Sequence, residues 1–185
     1  MKWYLMEKTK KEPMLKQPKL GSHTEKVRTR AKPPITATIE QSLKQLQFSI
    51  EITAPRENVW VTLWEDKTFR DWANIIDEGT YMVGEIKKGN EVQFISSASG
   101  YGVTSLVEKL TPNEHVSFRQ ISDTKDSGRR EREKEWAGGR ESYTLTEEGG
   151  ITTLTVELDV PPGQTETFKV RFPKALQRVK ALAEG

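Results

Sequence analysis

The chain has 185 residues, with 29 Lys and Arg against 27 Asp and Glu, a net charge of +2 and no Cys. The composition excludes a disulfide framework and thiol chemistry. No stretch approaches the roughly 20 apolar residues that a membrane helix needs, and the length suits one domain with an extension.

The charge is unevenly placed. Residues 1–45 carry 11 Lys and Arg against 4 Asp and Glu, while the rest carry 18 against 23. Pro13, Pro18, Pro33 and Pro34, with no sustained apolar period between them, predict a basic, disordered extension over 1–45. Its cations lack interleaved aromatics beyond Trp3 and Tyr4, so stacking on bases has little support and no nucleic-acid partner is expected. Lys2 and Glu7 leave the opening apolar run too short for a signal peptide. A cytoplasmic location is the expectation.

A domain is predicted over 46–185. Leu46, Phe48, Ile50 and Ile52 alternate with polar residues, the period of a half-buried strand. Pro55 suits the first position of a helix, on which Val59, Trp60, Leu63 and Trp64 share one face. Asp66 is expected to cap a second short helix carrying Phe69, Trp72 and Ala73. Strands follow around Tyr81 and Val83, around Val92 and Phe94, over Tyr101 to Leu110, and around Val116 and Phe118. Turns at Lys88-Gly89-Asn90, Ser99-Gly100 and Thr111-Pro112-Asn113-Glu114 separate them. The charged segment Lys125 to Glu135 is expected as a long connection. A strand with Tyr143 and Leu145 then turns at Glu147-Glu148-Gly149-Gly150 into one with Leu154, Val156, Leu158 and Val160. Phe168, Phe172, Ala175, Leu176, Val179, Leu182 and Ala183 recur at three and four residues, a single amphipathic closing helix. Thr165 is its expected cap, and Pro173 is expected to kink it or delay its start.

This order resembles the helix-grip fold of the START-like superfamily, which includes the SRPBCC and Bet v allergen-like proteins. The resemblance rests on Ile52 to Trp60, on Phe69-Arg70-Asp71-Trp72, on Val107 to Pro112 and on the strand-to-helix finish from Thr152 to Ala183. The same residues look similar to those of bacterial members of the family named after the activator of the heat-shock-protein-ninety ATPase. The resemblance implies an α+β fold, with a curved antiparallel sheet wrapped around a long C-terminal helix. Such folds bind apolar ligands, bind chaperones, or act as cyclase-like enzymes, so function passes to this chain only by analogy.

The residues carry no catalytic signature. His23 and His115 lack a neighbouring cluster for a metal or a triad, and His115 is expected as an ordinary surface residue. Gly100-Tyr101-Gly102 precedes no helix pattern and is not a phosphate loop. Asp77-Glu78 and Glu147-Glu148 are expected as solvated turns. Arg119, Gln120 and Glu141 lie on strands, and one of them is expected in a cavity as a polar anchor. The ligand-binding candidates are aromatic: Trp64, Trp72, Tyr81, Phe94, Phe118, Trp136, Tyr143, Phe168 and Phe172. For any single one of them, the plainer reading is a place in an ordinary core.

Three functions therefore stand open. The first is non-catalytic binding of a small apolar or aromatic ligand, lipids included, between sheet and terminal helix. The second is a chaperone-associated interaction module, and the third a cyclase- or hydrolase-like enzyme. No cofactor or metal is expected for any of them.

Overall fold

A computed structural model describes residues 42–131 and 134–185, all within one compact unit. The extension expected over 1–45, with His23, lies outside the described residues except for its last four positions. Arg132 and Glu133 of the charged connection also lie outside them.

The element order is β1 (Lys44–Ile52), α1 (Arg56–Trp64), α2 (Asp66–Ala73), β2 (Thr80–Val83), β3 (Glu91–Ser96), β4 (Gly102–Thr111), β5 (His115–Lys125), β6 (Arg130–Glu131), β7 (Arg140–Glu148), β8 (Ile151–Val160), a 3₁₀ turn (Pro162–Gln164) and α3 (Thr165–Ala183). The sheet is antiparallel in the order β1-β8-β7-β5-β4-β3-β2, and β6 pairs with β5. It curls around α3, while the two short helices that follow β1 fill the remaining side. This is the α+β arrangement expected from the order of elements.

Local chemistry explains most of these boundaries. Between β7 and β8, Gly149 and Gly150 take φ of 60° and 80°, the left-handed pair of a tight hairpin. Glu148 therefore faces Ile151 directly, which sets the register of the whole ladder. Ile52, Val116, Leu154 and Val156 are sealed from solvent on the sheet's inner face. Ala175, Leu176 and Val179 of α3 and Val59 and Leu63 of α1 complete the core. The last turn of α3 fastens to the end of β1: Lys180 Nζ donates to the Glu51 carbonyl at 2.7 Å, and the Thr53 N–H donates to Glu184 Oε1 at 2.7 Å.

The structure corrects several expectations. Pro55 precedes α1 as its cap rather than opening it. Glu65, not Asp66, precedes α2, and Asp66 instead pairs with Arg70 one turn on at 2.9 Å. Thr165 is the first residue of α3, its buried Oγ1 without a partner among the described residues, and Gln164 stands at the cap position with no side-chain hydrogen bond. Pro173 does not delay α3, which starts eight residues earlier, directly after the 3₁₀ turn, and contains the proline. His115 is half-buried on β5, with Nδ1 2.9 Å from Thr144 Oγ1. Burial holds its imidazole below the usual value. The strand at Phe118 runs to Lys125, where the charged segment was expected to begin, and that segment is not a plain connection: its Arg130–Glu131 forms β6 and pairs back on Lys125 and Thr124.

Candidate functional site

A cavity of about 380 Å³ lies between the sheet, the short helices and the first half of α3. Its size falls in the range of small-molecule sites. Each wall comes from a different element. The helical pair presents Trp64, Phe69 and Trp72. Trp72 donates its indole N–H to the Leu63 carbonyl at 3.2 Å, which fixes α2 against α1. The Trp64 ring meets Tyr143 edge-on, centroids 4.9 Å apart. From α3, Phe168 and Phe172 stack on each other at 5.9 Å, and Phe172 stacks on Phe48 of β1 at 5.2 Å with rings 6° from parallel.

Trp136 closes another side, from the segment before β7, with its ring 5.6 Å from Phe168. Asp123 holds that segment in place. Its buried carboxylate accepts the N–H of Trp136 at 3.1 Å and of Glu135 at 3.3 Å.

Of the aromatic candidates, Trp64, Trp72, Phe94, Trp136, Tyr143, Phe168 and Phe172 come together on this cavity. Phe118 lies one layer behind, wedged between the Trp64 ring at 5.6 Å and the Phe94 ring at 5.4 Å. Tyr81 is also away from it, on β2, with the Arg70 guanidinium 5.2 Å over its ring. Phe69, Leu158 and Ile76 join the lining without having been singled out.

Polar side chains share the lining: Thr80, Ser96, Gln164 and Thr167, with Asp77 and Arg171. Gln120 and Glu141 both face the cavity. Arg119 turns to the other face, where it donates to Glu108 at 2.7 Å. Strand parity carries this distinction: Gln120 follows Val116 and Phe118 at intervals of two, and Glu141 precedes Tyr143 and Leu145 in the same way. Tyr143 donates its hydroxyl to Glu141 Oε1 at 2.6 Å. Burial pushes the Glu141 carboxyl above the usual carboxylate range, against the lowering effect of that bond. Burial first, and then the Glu141 charge, raise the Tyr143 hydroxyl well above its ordinary value.

Two lining residues each hold a buried atom without a partner among the described residues, Gln120 Oε1 and Trp64 Nε1. Gly139 permits the Gln120 position, because a Cβ there would stand 2.7 Å from Gln120 Oε1. At the rim, Arg171 donates to the Ile76 carbonyl at 2.7 Å. Asp77 beside it is held above its ordinary value by burial, with Arg171 opposing. Asp77 was expected in a solvated turn; it is exposed yet borders the cavity.

No family model matches the chain, and neither does any curated protein. Solved structures do match. The Aha1 dimer from Colwellia psychrerythraea superposes with a TM-score of 0.59 at 17% identity, over 77% of this chain and 97% of that one. Protein CV1439 from Chromobacterium violaceum gives 0.56 at 18%, over 76% and 97%. DynU16, a protein of the dynemicin biosynthetic locus, gives 0.55 at 15%, over 76% of this chain and 47% of its own.

The fold is the helix-grip fold. At these identities the likeness carries architecture and not activity. The helix-grip frame accounts for the cavity's place, since its curved sheet and long helix meet along one side only.

Proposed function

We propose that this helix-grip domain binds a small apolar or aromatic molecule in the cavity between the sheet and α3, without transforming it. The observation that carries this reading is the lining itself. Aromatic rings from α1, α2, β3, β7 and α3 surround a space of about 380 Å³ that holds buried polar atoms without partners. A buried polar group left unpaired costs about 1–3 kcal/mol. A ligand that supplies the missing partners recovers part of that cost.

A chaperone-associated role, suggested by the likeness to Aha1, calls for a contiguous apolar surface. Among the described residues the large exposed apolar side chains are Val61, Val83, Tyr101, Ile151 and Val170. They sit on separate elements, which favours the cavity over the surface. A cyclase- or hydrolase-like reading calls for a perturbed acid in the cavity. Glu141 meets that requirement. The Tyr143 bond gives the same carboxylate a plain structural role in holding the lining.

The test is a thermal-shift screen of flavonoids, fatty acids and sterols on the full chain. A ligand at a hundredfold excess over Kd stabilises the fold by about 2.7 kcal/mol. At least one class is expected to raise the midpoint, and consumption of that ligand on incubation would move the assignment to an enzyme. A flat response across all classes removes the binding reading.

A further inference from the structure

The cavity's ligand class follows from Glu141, a half-buried carboxyl of the lining that has no counter-charge among the described residues. Glu141 sits on β7 with apolar neighbours across both ladders, Phe118 on one side and Leu158 on the other. Its Oε1 accepts from Tyr143, and the carboxylate makes no ion pair among the described residues. The adjacent cations are committed elsewhere. Arg119 and Arg140 face each other on the opposite side of the sheet and share Glu108, at 2.7 Å and 3.4 Å.

A half-buried carboxyl without a counter-charge tends to keep its proton, and a cationic partner is what would let it ionise there, because isolated burial of charge is costly. The rings of Trp64, Trp72, Tyr143, Phe168 and Phe172 line the same space. Aromatic faces attract a cation through their quadrupoles, and the attraction grows where water is excluded. The second acid of the lining, Asp77, stands at the rim beside Arg171, so entry is not guarded by positive charge alone. We propose that the cavity selects an organic ammonium ion with an apolar or aromatic body, its charged head seated against Glu141 and its body against the rings. The proposal rests on the binding function given above and adds the charge of the ligand. Gln120 Oε1, buried and unpartnered, is a second acceptor for an ammonium N–H.

The test uses one aromatic body in three charge states: naphthylethylammonium, naphthylethanol and naphthylacetate. Each is titrated calorimetrically into the full chain at neutral pH. The expected order is ammonium, then alcohol, then carboxylate, with the ammonium bound about tenfold more tightly than the alcohol. Glu141→Gln keeps the side-chain shape and the acceptor for Tyr143, and is expected to bring the ammonium-to-alcohol ratio to about one while the alcohol still binds. An alcohol bound as tightly as the ammonium by the natural protein overturns the proposal, and so does a preference that survives Glu141→Gln. The order in the natural protein decides the matter even if the variant fails to fold. Absence of binding by all three probes overturns this inference, and the cavity-binding function falls with it if the wider thermal-shift screen is also flat.

Discussion

Arg178 of α3 grips Asp71 of α2 with both arms of its guanidinium, Nε to Oδ1 at 2.6 Å and Nη2 to Oδ2 at 2.7 Å. The fork holds the helical wall of the cavity against the helix that the sheet surrounds. Its hydrogen bonds to Arg178 place the Asp71 carboxyl below its ordinary value. A carboxyl depressed in the folded state stabilises above its unfolded pKa, and that contribution is lost as pH falls through the folded pKa. Arg178→Ala is therefore expected to lower the melting temperature slightly at neutral pH. The difference from the natural protein should shrink on acidification, as scanning calorimetry across pH would show. A difference that grows at low pH contradicts this account of the pair.

Glu141 predicts the opposite slope. Its carboxyl is raised by burial, so the folded state binds a proton that the unfolded chain has released. Stability falls as pH rises from the unfolded value, about 4.3, to the folded one. Glu141→Gln removes the titration. The variant should gain on the natural protein as pH rises above the unfolded value, in urea melts at matched ionic strength. Parallel curves would mean that the carboxyl is better solvated than its surroundings imply.

The grip of α3 on the sheet is testable at one side chain. Leu176 is 2% exposed, and Leu176→Ala is expected to cost about 2–5 kcal/mol in chemical denaturation. Lys174→Ala, on the exposed side of the same helix, should change stability by less than about 0.5 kcal/mol. Lys180 is a poor control despite its charge, since it donates to Glu51 of β1. Equal losses at Leu176 and Lys174 would place the buried face elsewhere.

A fragment beginning at Ser42 retains every described element, including Leu43, which a Cβ on Gly139 would meet at 2.9 Å. We propose that it folds alone, with the basic extension adding little. Its melting temperature is expected within a few degrees of the full chain. A drop of more than roughly 10 °C would show that the extension contributes to the domain.

Much of this frame was legible in the sequence, and the reasons are particular. The parity of Leu46 to Ile52, the Gly149-Gly150 pair and the three-and-four spacing of α3 are local signals that tertiary structure had no cause to overrule. The far half of β5 was not legible. Ser122, Asp123 and Thr124 are all about 1% exposed, so alternation disappears where both strand faces are covered, and these polar residues carry no strand signal. Phe172, a ligand-binding candidate, stands beside Pro173, where a kink or late start was expected. It is 1% exposed and stacked on Phe48, because α3 runs through the proline and keeps that position turned inward. Parity could have separated Gln120 and Glu141 from Arg119. The separation of Phe118 from the lining depends on how far the rings of α1 and α2 reach, and no local pattern records that.

The fastening of α3 to β1 has a consequence for solubility. Among the described residues β1 and β2 stand at the two margins of the sheet, and an open margin is a template on which foreign chains can pair and accumulate. Lys180 occupies the Glu51 carbonyl and Glu184 occupies the Thr53 N–H, so the final stretch of the β1 margin is already spoken for. Fibril growth from that corner would first have to peel away the C-terminal turn that guards it.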